Sequence, residues 1–346
     1  MDDGQKLLEI AEVYFKEVVA HKANIIDSES AALREALNGL GERNLLALRL
    51  GEISDVVFRL FQEMAARYSG ALAFLQTQHQ SAGGMIFKSE NEALKAEFLP
   101  HLASGNRLVG VGFSQLRRLG YPLLKALPVP GGYELNGFIP WITGFDFFGD
   151  FISGAMLPDG RAVFGMMPFK DSQQNSGGKL ILSKPMDLVA MASTNTVSAE
   201  INHWFLEKEK VLFVKPAGWI QEQDKNNVLH HSFFALGCAK SALDIIKKTA
   251  KFKDLPIIWE ALKALDGEFN NCRSEIFNES AHNGLQLRAW AIDLASRCAT
   301  AAVTVSGGAA NHKDHAAQRV YREALVFTVS GQTTAVMEAT LCRLVR

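Results

Sequence analysis

One segment of the chain places an aromatic side chain two residues from a hydroxyl. Trp141 and Thr143 occupy alternate positions, so a regular β-strand would carry both on one face. An aromatic face beside a hydroxyl donor suits the binding of a flat ring. The same spacing also suits a cross-strand packing pair on a half-buried sheet, and from these residues alone packing is the favoured interpretation.

Other side chains that could do chemistry are isolated. His79 lies in a helical context, where a histidine is more often a surface or satisfied core residue than a catalyst. The cysteines are scattered without a CxxC spacing, at Cys238, Cys272, Cys298 and Cys342. We therefore predict neither a metal site nor a disulfide.

Composition limits the class of protein. The chain has 346 residues, of which 48% are hydrophobic and 21% charged, enough for a large core and two or three structural units. Its net charge of -1 argues against sequence-independent nucleic-acid binding. No segment approaches the roughly 18 to 20 apolar residues of a membrane span, and residues 1–20 do not resemble a secretion signal. We predict a cytoplasmic protein with a small-molecule partner, no nucleic acid and no membrane.

Hydrophobic periodicity divides the chain into three segments. Apolar residues recur at helical spacing in residues 1–104, strand-like runs with turn residues fill 105–215, and helical spacing returns in 216–346. The sequence predicts an α+β fold with an N-terminal helical domain, a middle antiparallel β-domain and a C-terminal four-helix bundle.

Turn and break signals set finer expectations. Asn136-Gly137 predicts a type I′ hairpin turn followed by a return strand over 138–143, and Asp159-Gly160 predicts a second turn. Pro100 is expected to end one helix and Pro256 to interrupt another.

Three motifs resemble the acyl-CoA dehydrogenase superfamily. Residues 94–105, LKAEFLPHLASG, resemble the helix end QKxxxLPxLxSGE. Residues 133–144, YELNGFIPWITG, resemble the hairpin YxLNGxKxWITN. Residues 322–324, REA, resemble the RDA of the terminal helices and follow a glycine pair, Gly307-Gly308.

The resemblance implies FAD as cofactor and assigns residues to it. Trp141, Ile142 and Thr143 would lie beside the flavin ring, with the hydroxyl near N5, where hydride is accepted. Ser114, in the segment GFSQ, would bond the carbonyl edge of the ring. Gly307 and Gly308 would lie at the pyrophosphate and adenosine end.

Two cofactor motifs depart from the superfamily pattern. The usual EPxAGSD is replaced by the run from Gln115 to Gly120. The usual Arg-x-x-Phe-Gly is absent, and Lys253 falls at the arginine position. A lysine can neutralise phosphate charge but lacks the bidentate fork of arginine. A solvated helix end before Pro256 is the more ordinary interpretation of these lysines.

The carboxylate base of the superfamily is missing. Its common position, in YEGT, corresponds to Gly331 of Ser330-Gly331-Gln332-Thr333. Its other position corresponds to Asn227, with Glu222 and Asp224 several residues earlier, and we assign neither acid. Removal of an α-proton requires such a base.

A related branch of flavin-dependent monooxygenases uses histidine or serine side chains, and its pattern points to His79 and Ser330 as catalytic candidates. We therefore predict a FAD-dependent oxidoreductase that acts on an acyl thioester or a small organic substrate, by hydride transfer to flavin N5 or by oxygen activation. A catalytically silent homologue serving as a binding or scaffold protein is the alternative. A third hypothesis is that only the fold is shared and the cavity takes another ligand.

The C-terminal helices are rich in alanine. Small side chains recur at Ala289, Ala291, Ala295, Ala299 and Ala302. They would bury well against copies of themselves, in the homodimer or homotetramer that the resemblance implies, or equally well within one bundle.

Overall fold

The computed structural model describes residues 3–50, 53–118, 120–278 and 283–345. Its N-terminal part is helical, with α1 (Asp3–Tyr14), α2 (Ala20–Ser28), α3 (Ser30–Gly41), α4 (Asp55–Tyr68), α5 (Gly70–Phe87) and α6 (Glu92–Leu102). A π-helical turn, Phe15–Val19, joins α1 to α2. Pro100 lies inside α6, which continues for two residues beyond it, because a proline removes only the one hydrogen bond of its own missing N–H.

In the part of the chain that the structure describes, the strands of the middle domain form one mixed sheet. Its strands are β1 (Val109–Gly112), β2 (Leu124–Val129), β3 (Gly132–Ile142), β4 (Asp150–Met156), β5 (Ala162–Pro168), β6 (Ser172–Gln173), β7 (Lys179–Leu182), β8 (Val197–Glu207) and β9 (Val211–Lys215). The order is β6-β7-β8-β3-β2-β4-β5-β9, with β1 beside β4. Most pairs are antiparallel, as predicted, but β1 and β2 both run parallel to β4. The middle domain is thus mainly antiparallel with a parallel component, because the β2–β3 hairpin separates β1 from β4 along the chain and lets them run in one direction.

One of the two predicted turns is correct. Asp159 and Gly160 connect β4 to β5. Asn136 and Gly137 instead lie inside β3, and the hairpin turn falls earlier, at residues 130–131. Glycine is required at 137 by a close approach, since a Cβ there would lie 2.0 Å from the carbonyl oxygen of Leu123.

The C-terminal part is again helical. It contains α7 (Trp219–Asn226), α8 (Ser232–Lys253), α9 (Pro256–Phe277), α10 (Gly284–Ser306), α11 (Ala316–Val329) and α12 (Thr334–Leu344). The predicted break at Pro256 is the boundary between α8 and α9. All five alanines of the predicted small-residue surface, Ala289, Ala291, Ala295, Ala299 and Ala302, are buried within this one chain. They pack α10 into its own bundle.

The N-terminal and C-terminal helices pack directly on each other. Arg67 on α4 binds Asp244 on α8 at 2.8 Å, and Glu63 on α4 accepts a hydrogen bond from Arg273 on α9, also at 2.8 Å. Both ion pairs fix α4 on the bundle.

Within the described residues, no helix combines the length and the apolar character required to cross a bilayer.

Candidate functional site

The end of β3 presents an open aromatic face. Trp141 is 47% exposed, although Ile139 and Ile142 on the same strand are fully buried. A register shift opposite β8, between Ile139 and Ile142, interrupts the regular alternation and turns the indole outward. Among the described residues, this indole stacks on no other ring and makes no hydrogen bond. One large aromatic surface is therefore available to a ligand.

Thr143 belongs to a line of three buried threonine hydroxyls, which we call the hydroxyl chain. Its Oγ1 lies 3.0 Å from Oγ1 of Thr196, which lies 3.5 Å from Oγ1 of Thr194. Thr194 in turn donates to the carbonyl oxygen of Met191 at 2.8 Å. Thr143 is only 7% exposed, whereas Trp141 is 47% exposed, so the two side chains differ in burial although they are two residues apart.

The hydroxyl chain rests on a strained turn, residues 191–196. Met191 and Asn195 both adopt left-handed conformations, with φ of 55° and 48°. Such conformations cost about 1 kcal/mol or more each and persist where neighbours hold them. Asp27 does so on α2, because one of its carboxylate oxygens accepts the Met191 N–H at 2.8 Å.

The REA motif acts on this same turn. Arg322 donates to Asp27 at 2.7 Å, and also to the carbonyl of Val189 at 2.7 Å. The next residue, Glu323, accepts from the Gly70 N–H at the start of α5, and burial raises the pKa of its carboxyl. The motif thus ties α11 to α2, α5 and the 191–196 turn. The sequence identified the motif but not Asp27, whose separation along the chain gave no signal.

The altered loop after β1 docks on α7. Ser114 begins a short 3-10 turn, Ser114–Arg117, with an exposed hydroxyl. Arg117 holds the Asp224 carboxylate through three contacts of 2.8 to 3.0 Å. Leu119, in the same loop, lies outside the described residues. Asp224 is therefore engaged in an ion pair, while Glu222 and Asn227 are exposed on the helix and its cap.

At the common position of the base, the available space is already occupied. Gly331 has a φ of 58°, and a Cβ built on it would lie 2.4 Å from Nε2 of His231. Arg288 fixes this turn by donating to the carbonyls of Ser330 and Gly331 at 2.7 and 3.0 Å. The Ser330 hydroxyl donates to Val326 of its own helix at 2.9 Å. No acid projects from this turn.

His231 was not singled out by the sequence. Burial, followed by the positive charges near it, lowers the pKa of its imidazole well below the usual range, with Arg288 the strongest of those charges. The ring is therefore neutral near pH 7. Its Nδ1 is buried without a hydrogen-bond partner among the described residues. A neutral imidazole thus stands where a carboxylate stem would project.

His79 connects backbone segments. Its Nδ1 accepts the Val109 N–H at 3.0 Å, and its Nε2 donates to the carbonyl of Leu102 at 3.1 Å. Burial lowers the pKa of this fully enclosed ring, which keeps it neutral. Because both nitrogens are engaged with backbone, the geometry favours the satisfied core histidine over the catalytic one.

Lys253 and the glycine pair lie together at one end of the bundle. The Lys253 Nζ donates to the carbonyl of Val305 at 2.6 Å, two residues before Gly307. Nothing lies within 4 Å of a Cβ built on Gly307 or Gly308. The exposed amine and the open backbone leave room for a phosphate group. The amine also donates a hydrogen bond to the last turn of α10.

Comparison with solved structures defines the fold. The electron transferring flavoprotein of Acidaminococcus fermentans matches at a TM-score of 0.81 and 18% identity, covering 100% of this chain and 98% of its own. Butyryl-CoA dehydrogenase from Megasphaera elsdenii matches at 0.77 and 18%, covering 100% and 99%. Glutaryl-coenzyme A dehydrogenase, in its glutaryl-CoA complex, matches at 0.81 and 18%, covering 99% and 95%. No protein-family model and no curated protein matches the sequence.

These likenesses extend over the whole chain and confirm the fold that the motifs implied. The chain has the acyl-CoA dehydrogenase fold, with helices, a middle sheet and helices in that order. At 18% identity the likeness concerns architecture. Any function must therefore be argued from the residues of this chain.

Proposed function

We propose that the chain is a FAD-binding oxidoreductase in which the flavin ring lies against Trp141, with N5 beside the Thr143 hydroxyl. The observation that carries the proposal is the open, unpartnered indole of Trp141, two residues before the Thr143 hydroxyl of the hydroxyl chain. When bound, the flavin supplies hydride acceptance or oxygen activation. The three solved relatives are described as flavoproteins or acyl-CoA dehydrogenases, which supports the same cofactor class.

The remaining cofactor contacts belong to the same proposal. Ser114 offers an exposed hydroxyl, and Ile142 follows Trp141 on β3 with a fully buried side chain. Lys253, Gly307 and Gly308 offer a cationic, open end for the pyrophosphate. Lysine contributes charge without bidentate geometry, so we expect weaker retention of FAD than an arginine would give.

The substrate side favours oxygen activation on a small organic molecule over ordinary dehydrogenation of an acyl thioester. Gly331 offers no acid, and Asp224 is held by Arg117. Ser330 and His79 were the candidates implied by the monooxygenase pattern, and both donate to backbone carbonyls. His231 is a third candidate for the catalytic side chain, because its ring is the titratable group that lies against Gly331, the position of the missing base.

The test is an absorption spectrum of the freshly purified protein, followed by titration of the apoprotein with FAD. We expect a yellow protein, and quenching of tryptophan fluorescence as FAD binds. Replacing Trp141 by alanine should weaken FAD binding about tenfold or more, because base-like rings stacked on an aromatic side chain typically contribute about 1–3 kcal/mol.

Phe87→Ala is the matched control, because this aromatic at the end of α5 has a similar exposed fraction of 41%. It should bind FAD like the wild type. A colourless protein whose fluorescence no added FAD quenches would contradict the proposal, as would equal affinities in Trp141→Ala and the wild type.

A catalytically silent binding or scaffold protein is the second candidate. The observation favouring it is the His231 ring in the space that a catalytic side chain at 331 would need. Photoreduction of the flavin-loaded protein, followed by oxygen consumption with a panel of small organic substrates, separates the two. A silent protein would show only slow background reoxidation with every substrate.

A further inference from the structure

The hydroxyl chain has a fixed end and a free end. Thr194 donates to the Met191 carbonyl, so its proton is committed. The protons of Thr196 and Thr143 are not, because each of these hydroxyls can be donor or acceptor in their shared 3.0 Å contact. Two arrangements of these two protons are therefore open to the same heavy-atom positions.

In the first arrangement, Thr196 donates to Thr143, and Thr143 donates outward. Every hydroxyl proton is then used, provided that an acceptor lies beside Thr143. In the second, Thr143 donates to Thr196, and Thr196 donates to Thr194 across the longer 3.5 Å contact. The oxygen of Thr143 is then free to accept a hydrogen bond from outside.

These two arrangements match the two redox states of a flavin ring. Its N5 is a hydrogen-bond acceptor when the ring is oxidised and carries a hydrogen when the ring is reduced. We propose that Thr196 and Thr194 are positioning residues that let Thr143 donate to oxidised N5 and accept from reduced N5. This inference rests on the proposed function.

The surroundings of the chain favour rotation of hydroxyl protons without movement of the backbone. All three threonines are buried, so water does not supply substitute partners. Two contacts with α2 hold the 191–196 turn that carries Thr194 and Thr196: Asp27 accepts the Met191 N–H, and the Ser193 hydroxyl donates to the Ile26 carbonyl at 2.6 Å. Preorganised partners of this kind cost little reorganisation when charge or protonation changes.

Thr196→Val tests the proposal, because valine keeps the shape of threonine and removes the hydroxyl. In the oxidised state Thr143 still donates outward. In the reduced state the Thr143 proton loses its acceptor and becomes a buried unsatisfied donor, which is costly. We expect the reduced-to-oxidised ratio at a given potential to fall about tenfold, which is a drop of about 30 mV for a two-electron couple.

The measurement is the flavin midpoint potential of the FAD-loaded protein, by equilibrium reduction against a reference dye. Thr196→Ser should restore the wild-type value, since it returns the hydroxyl. Thr194→Val should lower the potential less than Thr196→Val, because it removes only the longer contact. Thr340→Val is the control, since this buried threonine bonds only within its own helix α12 and should leave the potential unchanged.

The outcomes separate the two proposals. FAD that binds with the same potential in the wild type and Thr196→Val overturns the role of the hydroxyl chain and leaves the flavin proposal standing. A potential that rises, or that Thr196→Ser fails to restore, also overturns it. If Thr196→Val does not fold, Thr194→Val carries the same test. A protein that binds no FAD at all overturns both.

Discussion

Gly331 and His231 form a complementary pair of residues. The left-handed turn at Gly331 leaves a space with no Cβ, and the His231 ring fills it. The sequence showed that residue 331 could not supply a carboxylate. It could not show what stood there instead, because the contact joins the start of α8 to the end of α11 and no local spacing predicts it.

Gly331→Ala measures how closely the two residues fit. The added methyl would meet the imidazole at 2.4 Å and would also strain a backbone with φ of 58°. We expect a loss in the free energy of unfolding of about 2–4 kcal/mol, from overpacking and backbone strain together. Urea unfolding followed by circular dichroism is the measurement.

Gly218→Ala is the matched control, because Gly218 also has a left-handed backbone, with a φ of 80°, but has open space around it. It should cost about 1 kcal/mol, from strain alone. In a His231→Ala background, Gly331→Ala should approach this smaller cost. If the two glycine substitutions lowered the free energy of unfolding equally in the wild-type background, the His231 contact would contribute nothing to stability.

At the scale of elements, local signals succeeded where the structure is local. The turn at Asp159-Gly160 and the helix start at Pro256 follow from residues that act on their own backbone. The turn predicted at Asn136-Gly137 was wrong, because Gly137 lies inside β3 and is required there by the close approach of the Leu123 carbonyl. Burial of His79 and the register shift beside Trp141 likewise depend on neighbours from other elements.

Two partly buried histidines, His230 and His231, directly precede α8. Burial, with a smaller effect of the Arg49 and Arg59 charges, lowers the pKa of His230 to about 4. Since the folded pKa lies below the unfolded value of about 6.5, the unfolded state takes up a proton first as the pH falls. This contribution to stability is fully present above pH about 6.5 and is lost as the pH falls towards about 4.

His230→Gln removes this titration. Between pH 7 and pH 5 we expect the wild type to lose about 1 kcal/mol more unfolding free energy than the variant, a value below the full linkage because the ring is partly accessible. Urea unfolding at several pH values is the measurement, and differences between variants cancel the other titrating groups. Asn227→Ala, at an exposed position that follows α7, removes no titrating group and should keep the wild-type slope. Identical slopes in all three proteins would refute the assignment.

At the scale of the whole molecule, the alanines of α10 are buried inside the bundle of one chain. Self-association of the protein must therefore use another surface. We call the exposed apolar side chains that recur along α11 and along α12 the apolar stripe; they are Tyr321, Leu325, Val329, Met337 and Leu341. They recur at every fourth position within each helix, so each helix contributes one line. Exposed apolar side chains that line up along a helix make that face a candidate interface.

We expect the protein to be a homodimer or homotetramer through the apolar stripe. Leu325→Glu should lower the mass measured by size-exclusion chromatography with light scattering, because a carboxylate buried at an interface loses its hydration without a partner. Val18→Glu is the control, since Val18 is also exposed, at 41%, but lies on the π-helical turn in the N-terminal part. A monomeric wild type, or an unchanged mass in Leu325→Glu, would exclude the stripe as an interface. If FAD affinity falls together with the mass, the Lys253 and Gly307 end of the site depends on the neighbouring copy; if affinity is unchanged, each chain holds its cofactor alone.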